Sequence, residues 1–262
     1  MKTIPLWPAG SSHNVTSEPQ PPHLDVWLPA TTTPKAHAAV IVCPGGGYHG
    51  LAAHEGEPFA RLFAEHGFVG AVLHYRVAPN RHPLPLADGC RAVRVVRHMD
   101  GDLNIALNRT ALMGFSAGGH LACTAATQPD LHHDEQDDLA GKVSARPDRL
   151  ILGYPVVSFV TKYHAGSAQN LLGEKPSLEA RRQLSNELHV TAQSPPAFLF
   201  HTGDDPAVPV ENSLNFAAAC AAHKVPVALS VFPHGRHGVG MAVDDPALKC
   251  WTQLLVNWLR NW

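Results

Sequence analysis

Thr110-Ala111-Leu112-Met113-Gly114-Phe115-Ser116-Ala117-Gly118-Gly119-His120-Leu121-Ala122-Cys123-Thr124-Ala125-Ala126-Thr127 is the stretch that decides the fold. Thr110 to Met113 reads as a short buried strand, and the small residues from Ala117 to Thr127 read as a helix. Between them, residues 114–118 spell Gly-x-Ser-x-Gly. Glycines on both sides of a serine allow a strand-to-helix turn too tight for side chains. Such a turn raises the hydroxyl at the sheet edge, above a helix N-terminus that favours negative charge. Ser116 is therefore a candidate nucleophile.

Working outward, the chain alternates buried strands with helices. Ala38 to Cys43 is a continuous apolar run, as expected of a strand covered on both faces, and Val69 to His74 is another. Helical spacing follows each, over Pro58 to His66 and Leu86 to Met99. Further strands are expected at Leu150 to Gly153, Ala197 to His201 and Ala228 to Phe232, with a helix at Glu211 to His223. In the last helix Trp251, Leu254, Leu255, Trp258 and Leu259 fall at i, i+3, i+4, i+7 and i+8. This rhythm predicts a mostly parallel sheet with helices on both faces. Residues 1–37 are Pro-, Ser- and Thr-rich, with one short strand at Leu24 to Leu28. We expect a single domain over 1–262, interrupted only at 158–194, where one helix, Ser177 to Leu188, is predicted. An insertion so late in the sheet is expected to act as a small lid.

A serine hydroxyl is a weak nucleophile and needs a base, which needs an orienting acid. Behind a serine on such a turn, the acid and then the histidine follow in chain order. Residues 202–209 (TGDDPAVP) put Asp204 and Asp205 just after a strand, and residues 232–238 (FPHGRHG) put His234 and His237 after the next. The glycine-rich surroundings favour His237 over His234, and the Asp-x-x-Val-Pro spacing favours Asp205 over Asp204. Cys43-Pro44-Gly45-Gly46-Gly47-Tyr48 supplies a loop able to approach a substrate closely. Its Gly46 and Gly47 amides, with that of Ala117, are candidate donors to an oxyanion, and Tyr48 N–H is the alternative to Gly46. A phosphate loop fits less well, because no lysine follows and neither GxGxxG nor GxxxxGK[ST] is present. Tyr48, His49, Tyr163 and His164 are candidates for lining the substrate pocket.

The stretches PGGGY (44–48), EGEPFARLF (55–63), LHYRVAP (73–79), PLPLADGCRAVRVVR (83–97), MGFSAGGHLA (113–122), SPPAFLFHTGDDPAVPVENSL (194–214) and FPHGRHGVGMA (232–242) span nearly the whole chain. In this order they resemble the bacterial α/β-hydrolases grouped with carbohydrate esterases, acetylxylan-esterase-like and feruloyl-esterase-like, and more distantly the hormone-sensitive-lipase type. That last branch has His-Gly-Gly-Gly where this chain has Pro44-Gly45-Gly46-Gly47. The resemblance implies the α/β-hydrolase fold, Ser116 as nucleophile, Asp205 as acid, His237 as base, and Gly46, Gly47 and Ala117 as oxyanion donors. It implies no metal and no organic cofactor, and a small-molecule or oligosaccharide ester as substrate, often an acetylated sugar. A peptidase or amidase on the same residues, or a non-catalytic binding module, are the competing readings.

Composition agrees with a folded enzyme. Hydrophobic residues make up 45% of 262 and charged residues 16%, and the net charge is −2. No basic stripe points to nucleic acid, and no apolar stretch is long enough to span a bilayer. Five scattered cysteines without a CxxC pair suggest buried small side chains in a reducing compartment, hence a cytoplasmic protein. Oligomeric state leaves no mark. Among the eighteen histidines, His132-His133-Asp134-Glu135 reads as a solvated loop, and His120 as packing or bonding beneath the serine turn. Asp88 and Arg91 read as a local charge pair.

Overall fold

The apolar runs form the middle of one sheet. In the computed structural model, which describes residues 1–14, 20–30, 37–99, 104–131 and 140–262, the strands are β1 Lys2–Pro5, β2 His23–Trp27, β3 His37–Cys43, β4 Val69–His74, β5 Ile105–Phe115, β6 Arg149–Gly153, β7 Ala197–Thr202 and β8 Val227–Phe232. Their order across the sheet is β1-β2-β4-β3-β5-β6-β7-β8. β2 runs antiparallel to both of its neighbours, and the strands from β4 through β8 are parallel. The helices are α1 Glu57–Glu65, α2 Leu84–His98, α3 Ser116–Thr127, α4 Ala165–Leu172, α5 Leu178–Gln183, α6 Glu211–Ala222 and α7 Cys250–Arg260.

Side chains alternate across the central strands with the period of two that a strand imposes. Val40, Val42, Met113, Phe115, Ile151, Phe198 and Phe200 point to one face, where Phe59 and Phe63 of α1 and Trp251, Leu255 and Leu259 of α7 cover them. Ala39, Ile41, Cys43, Leu112, Leu150, Leu152 and Leu199 point to the other, beneath Leu86 and Val93 of α2, Leu121 of α3 and Phe216 of α6. Both faces being dry is why these strands read as unbroken apolar runs. The fold is that of an α/β-hydrolase.

Two expectations need correction. The N-terminal region holds a second strand, β1, which pairs Lys2 with Val26 through Pro5 with His23. Only Ile4 of it is buried, so the alternation that reveals a half-buried strand is absent. The 158–194 segment holds α4 in addition to the expected helix, and that expected helix is shorter, α5 followed by a 3-10 turn at Asn186–Leu188. The start of α4 is capped by His164, whose Nδ1 accepts the Ser167 amide hydrogen at 3.1 Å. Histidine lies outside the usual Ser, Thr, Asp and Asn capping set, which left no start signal.

The parallel strands end in step. Cys43 pairs with Gly114, Phe115 with Gly153, Gly153 with Phe200, and Thr202 with Phe232. Whatever follows each strand therefore collects along one sheet edge, where sites in such sheets form. No helix among the described residues is long and apolar enough to cross a membrane.

Candidate active site

The turn at Ser116 is forced by close backbone approach. A Cβ on Gly114 would lie 2.1 Å from the Gly118 oxygen, and one on Gly118 would lie 2.2 Å from the Cys43 oxygen. No side chain fits at either position. Phe115 is still extended at φ −113°, whereas Ser116 sits at φ +50°, a left-handed conformation that a non-glycine residue adopts only when its surroundings impose it. The Ser116 carbonyl accepts the Val156 amide hydrogen at 3.0 Å, which ties the turn to the chain leaving β6.

Ser116, His237 and Asp205 form one hydrogen-bonded row. His237 Nε2 lies 2.9 Å from Ser116 Oγ, and its Nδ1 lies 2.7 Å from Asp205 Oδ2. An ionised carboxylate only accepts, so Nδ1 carries the hydrogen and Nε2 is left to accept from the serine. The second carboxylate oxygen, Oδ1, accepts the amides of Ala207 and Val208, both at 2.9 Å. Burial alone would raise the Asp205 pKa. The His201 ring, 3.6 Å away, and bonds from His237 and from those two amides outweigh it and hold the carboxyl well below its ordinary range. His201 itself is buried, bonded through Nε2 to the Val208 carbonyl at 2.9 Å and through Nδ1 to Ser213 Oγ at 2.8 Å.

The glycine loop after β3 lies beside this row. Gly46, Gly47 and Tyr48 all adopt positive φ, at 128°, 65° and 58°. The Gly46 carbonyl closes the loop by accepting from His49 and Gly50. A Cβ on Gly46 would meet the Gly50 oxygen at 2.2 Å. The amide hydrogens of Gly46, Gly47, Tyr48 and Ala117 have no acceptor among the described residues, whereas that of Gly45 is taken by Glu55 Oε2 at 2.7 Å. A row of acceptor, base and hydroxyl beside free amides can move a proton while a negative oxygen is held.

The remaining sequence candidates divide. The Tyr48 side chain is buried, and its hydroxyl bonds His120 Nδ1 at 2.8 Å. His120 Nε2 bonds the Leu184 carbonyl at 2.8 Å, so this histidine does bind beneath the serine turn. Burial lowers its pKa to about 4, which keeps the ring neutral. His49 is exposed. His164 caps α4 and is close enough to His237 to feel its charge: burial first, then His237, lowers its pKa. Tyr163 packs under the Arg181 guanidinium. Asp204 and His234 pair with each other at 2.8 Å, away from Ser116. Asp88 does not pair with Arg91. It takes Arg76 at 2.7 and 2.8 Å and Trp7 Nε1 at 2.9 Å, while Arg91 Nε donates to the Leu6 carbonyl. Residues 132–135 lie outside the described residues.

Sequence reasoning missed Glu55, Tyr154, Asn170 and His201. Glu55 is 2% exposed and holds the Gly45 amide, and Asn170 Nδ2 donates to the Gly47 carbonyl at 2.8 Å. A glutamate just ahead of an amphipathic helix ordinarily reads as a favourable first-turn charge, so its burial left no trace.

Among the described residues one group has ligand atoms close enough for a cation, His23, Asp25 and His74, within 4.8 Å of one another. His74 Nε2 already bonds Asp25 Oδ2 at 3.1 Å, and the two rings stack at 4.2 Å. All five cysteines are free thiols, and only Cys250 is exposed.

The BD-FAE family profile matches residues 24–220. The chain is 40% identical over 210 residues to endo-1,4-beta-xylanase B of Butyrivibrio fibrisolvens, covering 79% of this chain and 33% of that protein. It is 31% identical to the acetylxylan esterase of Xylanibacter ruminicola over 85% of this chain and 45% of that one. The chain thus spans a third to just under half of the length of these two relatives. The crystal structure of an acetyl ester-xyloside bifunctional hydrolase from Caldicellulosiruptor lactoaceticus superposes with a TM-score of 0.93 at 44% identity, covering 99% of this chain and 96% of that one. The chain belongs to the BD-FAE family and has the α/β-hydrolase fold.

Proposed function

We propose that the chain is a serine carboxylesterase that removes short acyl groups, acetyl above all, from a sugar or xylo-oligosaccharide. The observation carrying this reading is the unbroken row from Ser116 Oγ through His237 to Asp205, at 2.9 and 2.7 Å.

His237 Nε2 takes the hydroxyl proton as Ser116 Oγ attacks the ester carbonyl. Asp205 fixes the tautomer and steadies the imidazolium that forms. The amides of Ala117 and of Gly47, with Gly46 or Tyr48 as the third donor, hold the tetrahedral oxyanion. His237 then gives its proton to the departing alcohol, leaving an acyl group on Ser116. Water repeats the sequence and frees the acid. No step requires a metal or an organic cofactor.

Two features support a short acyl group on a sugar alcohol. The names of the relatives carry acetyl and xylan chemistry. The 158–194 segment, read as a small lid, leans on the site through Asn170 and Gly47 and is short.

Ser116→Ala assayed on p-nitrophenyl acetate tests the core of this proposal. Turnover should fall by about 10³-fold or more, and near-wild-type turnover would reject it. A chain-length series tests the acyl preference: more activity on the dodecanoate than on the acetate would overturn it. Acetylated xylo-oligosaccharides test the alcohol, and a parallel anilide assay separates esterase from amidase.

A further inference from the structure

Glu55 is buried within bonding distance of two loops that the proposed reaction needs. Its Oε2 accepts the Gly45 amide hydrogen at 2.7 Å, and its Oε1 lies 2.7 Å from Tyr154 Oη. The Gly240 amide donates to the same phenol oxygen at 3.1 Å. With that oxygen already accepting, the Tyr154 hydroxyl hydrogen points to Glu55, so the carboxylate accepts on both oxygens. Burial, then the nearby Glu55, pushes the Tyr154 pKa well above its ordinary value, so the phenol keeps this hydrogen.

These bonds join three strand ends. Gly45 begins the glycine loop after β3, Tyr154 directly follows β6, and Gly240 lies three residues beyond His237. The Tyr154 ring also meets the His237 ring edge-on, with centroids 5.1 Å apart. The fit is tight: a Cβ on Gly45 would lie 2.6 Å from Glu55 Oε2 and 3.0 Å from Ser116 Cβ. Tyr154 is held at φ +35°, which a tyrosine does not adopt freely. Next to Glu55 in the chain, His54 Nε2 bonds the Gly238 carbonyl at 3.1 Å, adding a second tie from the same short segment to the histidine loop.

We infer that Glu55, acting through Tyr154, is a positioning residue that sets the glycine loop and the His237 loop at their working separation from Ser116. It touches neither substrate nor reacting atoms. By capturing the Gly45 amide it orients the peptide units that follow, so that the next amides remain free for the oxyanion. Through Tyr154 and Gly240 it restrains the loop that carries the base. Because the oxyanion and the imidazolium exist together only in the transition state, a loss of this tie should appear in kcat rather than in KM.

This inference rests on the triad reading, and the experiment separates the two. Steady-state constants on p-nitrophenyl acetate are measured for Glu55→Gln, Tyr154→Phe, the double variant and Ser116→Ala, with thermal unfolding as a check on folding. Glutamine can accept only one of the two donors. We expect kcat to fall about tenfold to a hundredfold with KM within about twofold, and phosphonylation of Ser116 to slow in parallel. Tyr154→Phe should reproduce part of the loss. The double variant should cost no more than Glu55→Gln alone, because both interrupt one path. If Glu55→Gln does not fold, Tyr154→Phe, which removes one oxygen, carries the test. Wild-type kcat in the folded variants, or a change in KM alone, overturns the positioning role while leaving the triad standing. Wild-type turnover in Ser116→Ala overturns the triad itself.

Discussion

Two aspartate–histidine pairs stand next to each other in this molecule, built from the same two loops. Asp205 and His237 meet at 2.7 Å, Asp204 and His234 at 2.8 Å. By distance they are nearly equivalent. Their surroundings are not. The Asp205 side chain is fully buried and that of His237 is 23% exposed, whereas those of Asp204 and His234 are 53% and 86% exposed. Asp205 anchors its second oxygen on the amides of its own turn, and His237 turns its free nitrogen to Ser116. Asp204 spends its second oxygen on the Gly235 amide, and His234 reaches no hydroxyl among the described residues. A carboxylate–imidazole pair becomes useful when it is dry, fixed at both ends and aimed at something. The outer pair helps to pin the loop that carries His237.

The comparison breaks most directly on activity. His237→Ala and Asp205→Asn should lower kcat by about 10³- to 10⁴-fold, while His234→Ala and Asp204→Asn should stay within about threefold, as exposed pairs contribute little. Steady-state kinetics on p-nitrophenyl acetate reads all four, and a loss of the same order at His234 would erase the distinction.

Next in size is acid stability around the serine turn. The His120 pKa, about 4 in the native state, lies below its unfolded value of about 6.5. Between these values the unfolded chain binds more protons. Stability is therefore complete above about pH 6.5 and declines as pH falls towards 4, by an amount on the order of 2 kcal/mol. Urea unfolding at pH 7 and pH 5 should show a smaller decline in His120→Gln than in wild type, and parallel declines would contradict the assignment.

Asp205 titrates in a lower window. Its native pKa is depressed, so its contribution is complete above the ordinary carboxylate value of about 4 and is lost as pH falls further. The stability gap between wild type and Asp205→Asn should narrow from pH 6 to pH 3, and a constant gap would argue against a charged native Asp205. The smallest effect expected is that of salt. Asp204 is held below its ordinary value chiefly by its bond to His234, so raising salt from about 0.05 to about 0.5 M should move its titration seen by NMR back towards that ordinary value, because an exposed pair is screened, and leave the buried contact of Asp205 with His237 largely untouched.

Much of this site was legible because its constraints are local. Gly114 and Gly118 flank Ser116 because their neighbours leave no room for a Cβ, and such a need is written in the residue itself. The apolar runs of β3 and β4 announced strands covered on both faces. Loop chemistry favoured Asp205 over Asp204 and His237 over His234, and His237 is the ring that bonds both Asp205 and Ser116. What stayed hidden depends on partners far along the chain. Glu55 meets Tyr154 across 99 residues, and Asp88 chose Arg76 over the nearer Arg91. The bond from the Tyr48 hydroxyl to His120 spans 72 residues and left no local sign. β1 and α4 escaped because one buries a single residue and the other opens on a histidine cap.

The central claim is that Ser116, driven by His237 and Asp205, carries the acyl group. Intact-mass and peptide-level mass spectrometry after brief exposure to a fluorophosphonate tests it directly. The account predicts one adduct per chain, located on Ser116, lost in Ser116→Ala and strongly slowed in His237→Ala, with His234→Ala labelling at the wild-type rate. An unlabelled Ser116, or labelling that ignores His237, would contradict it.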